Sequence, residues 1–427
     1  MSSFKRFLAI AGAVAVGFLL AQVVSRHSGA PSWWPDRERD RNVRYYRDVA
    51  QMVHEEYYDG AKAGYDDLTR AALKGMVGQL DPHSEFMTAD EYSEAEEELT
   101  NEFSGVGIEV EQRDNKIVVI TPIAGTPAER AGIRRGDFLI KVDGQELESP
   151  TLDKSVKLLR GKPDTDVVLT MFRPAVNKEI DFKLKRQKIL LHSVRNTAIR
   201  PDGIGYLQIT QFSEHTGEEF SQALGQLEKK GMKALVIDLR NNPGGLLDAA
   251  IDVCGEFFDR DELVVYTQGR STDSRQDYRA DGKHPHRAYP IAVLINGGTA
   301  SAAEIVTGAM KDTKRAVIVG ERSFGKGSVQ SVIDLQNGEG MHLTTARYFT
   351  PSGITIHEHG VSPQVEVEIS ADDESKLRLQ ESRTDVDNPA EFADHFGFQP
   401  IEDMQLDAAA EVLTGVLATR GPAGAAP

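Results

Sequence analysis

A multidomain α/β protein is what the sequence predicts, and three patterns predict it. From residue 203 to 320, apolar β-branched runs (GIGYLQI, ALVIDL, IAVLI, AVIV) alternate with stretches of helical apolar spacing. That alternation implies a layered α/β core with parallel pairing. Between residues 103 and 187, short elements are separated by glycines, which implies a small β-rich domain inserted before the core. Residues 41–102 and the stretch IEDMQLDAAAEVLTGVLA near the C-terminus carry apolar residues at helical spacing, so both terminal regions contain predicted helices. A chain of 427 residues is long enough for two or three domains with sizeable cores.

Hydrophobic content of 40% and charged content of 27% are ordinary for a globular protein. A net charge of -17 argues against a nucleic-acid partner. The single cysteine, Cys254, lies in AIDVCGEFF, whose apolar neighbours suggest a core residue. At the N-terminus, Lys5 and Arg6 precede an uncharged run from Phe7 to Val24, and Arg26 follows. Residues 1–27 therefore read as a signal anchor or a signal peptide, and either exports the rest of the chain. The expected location is the cell envelope, on the periplasmic or other extracytoplasmic face of the inner membrane. Residues 28–40, with Trp33 and Trp34, read as a linker near the membrane.

Within 41–102, Val49, Met52, Val53 and Tyr57 predict one helix. Leu68, Ala72, Met76 and Leu80 predict a second, running from Tyr65 or Asp66 to Leu80. LDPHS follows at Leu80–Ser84, then the acidic helix ADEYSEAEEELTNEF. His83 reads as structural. In 103–187, FSGVGIEVEQ and KIVVITPI read as strands, TPAERAGI as a short helix, and GDFLIKVDGQEL as a hairpin turning at Asp143-Gly144. TLDKSVKLLRG reads as a helix and DVVLTMFR as a final long strand. A Gly-rich loop followed by a strand can capture a peptide carboxylate and pair with an extended chain. A plain structural module fits the same pattern.

In the core, Asn242-Pro243-Gly244-Gly245 follows a buried strand, where open α/β folds place ligands. Asn296-Gly297-Gly298 breaks the strand Ile291–Ile295, and a helix from Ser301 to Met310 follows. Ser301 thus stands at a helix N-terminus, where free N–H groups favour developing negative charge. Lys326 sits in the Gly325-Lys326-Gly327 loop, and Gln330 follows four residues later. A lysine acts as a base only when desolvation populates its neutral form. Ser301-x-x-Glu304 is equally a capping box, so cap and nucleophile both stand on the motif alone. Gly320-x4-Gly325-Lys326 approaches a phosphate-binding loop, but residue 327 is Gly and a strand follows in place of a helix. His284/His286 and His357/His359 are spaced two apart without a third ligand, so no metal is expected. Residues 270–288 read as a polar surface loop, and 369–397 as a charged, mobile stretch. IEDMQLDAAAEVLTGVLA reads as an amphipathic helix, and GPAGAAP as a disordered tail.

NGGTASAAEI followed by FGKGSVQ closely resembles the catalytic signature of the carboxyl-terminal processing peptidases, or tail-specific proteases. The resemblance spans roughly residues 45–415. It implies a layered serine-peptidase core of the ClpP/crotonase-like kind over 188–368 and a PDZ-like domain over 103–187. It implies Ser301 as nucleophile, Lys326 as base and Gln330 as the residue that orients the base. The oxyanion hole would come from Gly244 or Gly245 with Ala302. The peptide-carboxylate loop would be Ser104, Gly105, Val106, Gly107 and Ile108, supported by the matching Ala131-Gly132-Ile133 and Gly136-Asp137. LDPHS matches a segment that precedes the PDZ module in relatives. No cofactor is implied. The partners implied are polypeptides with free C-termini, the membrane through the N-terminal segment, a second copy of the chain and an adaptor protein. Ile354, where relatives commonly carry arginine, and the run HEHG at His357–Gly360 depart from the family pattern. Three other readings compete: a non-catalytic PDZ adaptor, a phosphate-binding enzyme using Gly320–Lys326, and an acyl-transfer or hydratase enzyme with a small thioester substrate.

Overall fold

The computed structural model describes residues 37–113, 115–147, 151–282, 287–383, 386 and 388–420. The apolar run Phe7–Val24, Trp33, Trp34, His284, His286 and the tail 421–427 lie outside them. Among the described residues no helix is long and apolar enough to cross a membrane. The chain divides into two units at Gln79/Leu80, so LDPHS and the acidic helix belong to the second.

The first unit holds α1 (Arg37–Glu56) and α2 (Tyr65–Gly78). At their turn His54 Nδ1 meets the Ala63 carbonyl at 2.7 Å, and the His54 ring stacks on Tyr65 at 4.2 Å.

The second unit begins with β1 (Glu85–Met87), α3 (Ala89–Thr100) and β2 (Glu102–Gly105). The β-rich domain follows as β3 (Ile108–Arg113), β4 (Lys116–Pro122), α4 (Pro127–Ala131), β5 (Phe138–Val142), β6 (Gln145–Glu146), α5 (Leu152–Leu159), β7 (Asp166–Arg173) and β8 (Lys178–Lys185). Its antiparallel sheet runs β3-β4-β5-β7-β8, with β6 hairpinned onto β5. Asp143 and Gly144 both have positive φ, 51° and 78°, as a tight two-residue hairpin turn requires. The strand β8 corrects the expectation that β7 ends this domain. KEIDFKLK is mostly charged, yet its alternation puts Phe182 and Leu184 into the core while lysines face outward. The strand β9 (Gln187–Leu190) returns to pair with β2.

The core comprises β10 (Val194–Ile199), β11 (Ile204–Ile209), α6 (Thr216–Lys229), β12 (Ala234–Asp238), α7 (Leu247–Gly255), β13 (Leu263–Gly269), β14 (Gln276–Arg279), β15 (Ile291–Ile295), α8 (Ala302–Asp312), β16 (Val317–Gly320), β17 (Ser328–Asp334), β18 (Gly340–Phe349) and β19 (Val365–Glu366). The helices α9 (Ala371–Ser382), α10 (Pro389–Phe396) and α11 (Met404–Arg420) complete the chain. One sheet has the order β10-β11-β12-β15-β16-β19, parallel from β11 onward. Both its faces are covered, which is why its strands read as continuous apolar runs. On one face Phe220, Leu224, Val253, Cys254 and Val306 from α6, α7 and α8 pack on Leu207, Ile237 and Val293. On the other, Ala409, Ala410 and Leu413 of α11 pack on Val236, Leu294 and Val319. Leu413→Ala is expected to destabilise the protein by about 2–5 kcal/mol, because the site cannot collapse fully around the lost atoms. Chemical denaturation against wild type measures this, and a loss below about 1 kcal/mol would contradict the packing. A second sheet, β1-β18-β13-β14 with β17 on β18, stands beside the first.

The stretch expected to be mobile, 369–397, instead carries α9 and α10. Its charges have buried partners. Asn296 Nδ2 donates to Glu374 at 2.8 Å, and Arg240 donates to Glu381 at 3.2 Å. A charge run reads as solvated only until a fold supplies the opposite groups.

Candidate active site

Two turns after parallel strands build the site. The turn after β12 carries Asn241 and Asn242, and the turn after β15 carries Asn296 and Thr299. The two asparagines clip the turns together. Asn241 N–H donates to Asn296 Oδ1 at 2.8 Å, and Asn296 Nδ2 donates to Asn241 Oδ1 at 3.1 Å. Thr299 Oγ1 donates to the Leu239 carbonyl at 2.8 Å, and Ala300 N–H to the Asn242 carbonyl at 2.9 Å. Beneath them Arg240, only 6% exposed, is held by Asp238, Asp403, Glu381 and Gln405.

Ser301 ends the second turn at the N-terminus of α8, with φ 53° and ψ -117°. Positive φ is rare outside glycine and costs on the order of 1–3 kcal/mol, so the surroundings must hold it there. Glu304 does so. Its fully buried carboxylate accepts from Ser301 N–H at 2.9 Å, Lys326 N–H at 2.8 Å, Gly325 N–H at 2.7 Å and Ser323 Oγ at 2.5 Å. Burial pushes the Glu304 carboxyl up, while these four donors pull it back. The capping box read from Ser301-x-x-Glu304 is present, but its glutamate also ties the Lys326 loop to the Ser301 turn.

Burial pushes the Lys326 amine down from its ordinary value, opposed only by the charge of Glu85. Among the described residues no hydrogen bond joins Ser301 Oγ to Lys326 Nζ. Hydrogen bonds between catalytic groups are commonly long in unliganded sites and tighten with substrate. Gln330 Nε2 donates to Ser328 Oγ at 2.9 Å and Thr344 Oγ1 at 3.2 Å, so these bonds engage its amide nitrogen and not its carbonyl oxygen. Thr344 N–H donates to Ser84 Oγ at 3.0 Å, and Ser84 Oγ donates to Asp81 at 2.8 Å. LDPHS therefore braces β18 at Thr344, the residue whose hydroxyl accepts from Gln330. Burial pushes His83 down, and the Lys326 charge adds to that. The HEHG run cradles the lysine loop: Glu358 N–H donates to the Gly325 carbonyl at 2.9 Å, and a Cβ on Gly327 would meet His357 N at 2.2 Å.

The structure brings Gly244 directly against Ser301 and Ala302. A Cβ built on Gly244 would lie 2.6 Å from Ser301 Cβ and 2.9 Å from Ala302 N, and Gly244 has φ 102°. Gly244 N–H donates to Asn242 Oδ1 at 2.8 Å. Of the two candidate glycines, Gly245 is thus the one with its N–H unengaged by Asn242. Ala302, first in its helix, has an N–H without an intrahelical partner. Gly244→Ala is expected to lower turnover sharply while the fold survives, because the added Cβ would push against Ser301 Cβ and the Ala302 N–H, measured by peptide hydrolysis alongside the thermal transition. Retained turnover would remove Gly244 from this wall.

The candidate carboxylate loop lies between β2 and the start of β3. Val106 is buried, and its carbonyl accepts from Ala128 N–H at 3.0 Å. Gly107 has φ 83°, and a Cβ there would meet Thr126 at 2.3 Å, so glycine is required. Ile108 opens β3, and Gly105 closes β2. Ser104 lines a cavity of about 600 Å³ together with Leu152, Val156 and Arg160, and its buried Oγ has no hydrogen-bond partner among the described residues. Sequence reasoning named Asn242 and Asn296 only as turn residues, and it missed Asn241, Thr299 and Arg240. Only the Asn-containing, Gly-rich turns after two buried strands pointed toward them.

Residues 203–367 match the peptidase family S41, and residues 118–171 match the PDZ domain. The chain is 39% identical over 364 residues to the carboxy-terminal-processing protease of Bartonella bacilliformis, covering 82% of this chain and 83% of that one. It is 37% identical over 320 residues to the carboxy-terminal processing protease CtpA of Bacillus subtilis, covering 75% of this chain and 67% of that one. Among solved structures it is similar to a photosystem II D1 C-terminal processing protease, with 33% identity, a TM-score of 0.44, and coverage of 76% of this chain and 92% of that one.

Proposed function

Because this chain belongs to the carboxy-terminal processing proteases of peptidase family S41 and carries a PDZ domain, we propose that it is an exported endopeptidase working through a Ser301–Lys326 dyad on proteins presented by their C-termini. It is a serine protease, and its relatives' names point to action at protein C-termini. The observation that carries the dyad is the shared Glu304 carboxylate, which fixes the Ser301 and Lys326 backbones to one buried anchor.

Neutral Lys326 takes the Ser301 proton as Oγ attacks the scissile carbonyl, then returns it to the leaving amine. The oxyanion is held by the Gly245 and Ala302 N–H groups in a water-poor site. Water then hydrolyses the acyl-enzyme by the same proton route in reverse. Gln330 holds the amine through its carbonyl oxygen. The loop Ser104–Ile108 receives the substrate's terminal carboxylate, and the chain beyond pairs along β3. The run Phe7–Val24 delivers the domain outside the cytoplasm, and an alkaline phosphatase fusion after residue 36 tests this. An inactive fusion would overturn export.

Only the neutral amine is a base, so activity should rise with pH through the lowered pKa of Lys326. A kcat/KM profile flat from pH 5 to 9 would contradict that role. The reading as a whole is tested by following an unfolded reporter with apolar C-terminal residues, free or amidated, by mass spectrometry. The free-acid reporter should be cut faster. Equal cutting would remove the carboxylate loop from substrate selection, and no cutting by wild type would favour a non-catalytic adaptor.

A further inference from the structure

Charge is unevenly divided along this chain. The whole carries -17, yet residues 103–187 hold fifteen lysines and arginines against thirteen aspartates and glutamates. The negative excess therefore lies outside the PDZ domain. Within that domain a cavity of about 380 Å³ opens between α4 and β8. Arg130, Lys183, Lys185 and Arg186 line it, and Asp164 is the one carboxylate among its lining residues. The alternation of β8 puts Phe182 and Leu184 into the core, so Lys183 and Lys185 stand on the outer side. Arg186 is held by neutral acceptors: Nε donates to the Leu159 carbonyl at 3.2 Å and Nη2 to the Leu158 carbonyl at 2.9 Å. Arg130 donates to the Gly125 carbonyl and to Gln187 Oε1, the latter at 2.8 Å. Carbonyl groups orient a guanidinium without cancelling its charge. Elsewhere in the domain Arg173 pairs with Asp137 and Lys141 with Glu146, whereas among the described residues these four cations form no ion pair.

We propose that this cavity is a phosphate-binding site on the β8 side of the PDZ domain. Like charges gathered without a counterion repel one another, and a bound anion relieves that repulsion. An oriented guanidinium fork matches two phosphate oxygens, and each lysine adds a point charge. A phosphate monoester carries about two negative charges near neutral pH, which answers four cations and one carboxylate better than a single carboxylate group does. The volume lies at the small end of ligand cavities and suits a phosphate with a small substituent. Sheet order sets the site apart from the substrate groove. The strand β3, which would pair with a peptide, and β8 are opposite edges of β3-β4-β5-β7-β8. The ligand is therefore not the substrate's terminal carboxylate. Two sources carry the same chemistry: a free phosphate or small phosphate ester, and the monoester headgroup of phosphatidic acid.

The test is lysine acetylation of the full-length protein in mild non-ionic detergent, read by mass spectrometry. Lys230, exposed on the core, is the internal reference. Inorganic phosphate should slow acetylation of Lys183 and Lys185 about threefold or more relative to Lys230, where sodium chloride of equal ionic strength does not. Arg130→Gln should remove that protection, and Arg130→Lys, which keeps the charge, should retain part of it. Circular dichroism shows whether each variant is folded. Doping the micelles with phosphatidic acid, against phosphatidylcholine, separates the sources. Stronger protection than the same concentration of inorganic phosphate assigns the lipid headgroup, and weaker protection assigns the free anion. Absence of protection by both would overturn the proposal. So would equal protection by sodium chloride, which is screening, or by acetate, which is carboxylate binding. Protection unchanged in Arg130→Gln would overturn it as well. The site is independent of the dyad and survives its failure.

Discussion

Ser301→Ala should abolish cleavage of an unfolded reporter while the thermal transition stays within a few degrees of wild type. The side chain removed is small and lies at a partly exposed turn, so little packing is lost. The chemistry lost is the attacking atom itself. In serine peptidases whose groups act as a unit, losing the nucleophile costs on the order of 10⁶-fold in kcat. Lys326→Ala should cost a comparable factor, and the double variant should be hardly worse than either, because a nucleophile without its base is as idle as a base without its nucleophile. Lys326→Arg keeps the positive charge but cannot supply a neutral base, so it should be as inactive as alanine. Product formation followed by mass spectrometry over long incubations reads these losses. Activity retained by Ser301→Ala would sink the nucleophile assignment. Activity retained by Lys326→Arg would sink the general base but leave the nucleophile standing.

Glu304→Gln should also slow turnover, far less than loss of the nucleophile, although Glu304 touches no reacting atom. The carboxylate is acceptor-only and takes four donors from the Ser301 turn and the Lys326 loop. An amide of the same shape turns one of its two ends into a donor. The Ser323 hydroxyl can rotate to accept from it, but the Gly325 N–H cannot. One buried backbone N–H left without an acceptor costs about 1–3 kcal/mol. Felt in the placement of Ser301 and Lys326, that is about 5- to 150-fold in kcat. A positioning role predicts that kcat falls while KM holds, and that Glu304→Asp rescues little, because a shorter side chain cannot reach both loops. If Glu304→Gln lowered the unfolding free energy but left kcat intact, the residue would be a helix cap and nothing more.

The apolar periods that predicted the parallel strands β11, β12, β15 and β16 are local properties, set by side-chain alternation and burial on both faces. They reappear nearly residue for residue. Helix α8 and its start at Ser301 were legible for the same reason: a Gly-rich break after an apolar strand can lead only into a turn. The β8 strand was not legible, because its alternation is hidden among lysines and matters only once β7 offers an edge.

By itself, the sequence determined the layered α/β core, the inserted β-rich domain, and Ser301, Lys326 and Gln330 as candidates. Each of these rests on spacing within about ten residues or on a short motif. Only the tertiary structure decided how those candidates are held. Asn241 meets Asn296 across 55 positions, Ser84 meets Thr344 across 260, and Arg383 meets Glu111 across 272. A hydrogen bond over such distances leaves no periodic trace in the chain. Glu304 shows the division most plainly. Its bond to Ser301 is local and was visible as a capping box, whereas its bonds to Gly325 and Lys326 exist only because β16 returns beside β15 and brings the lysine loop back to the same helix end.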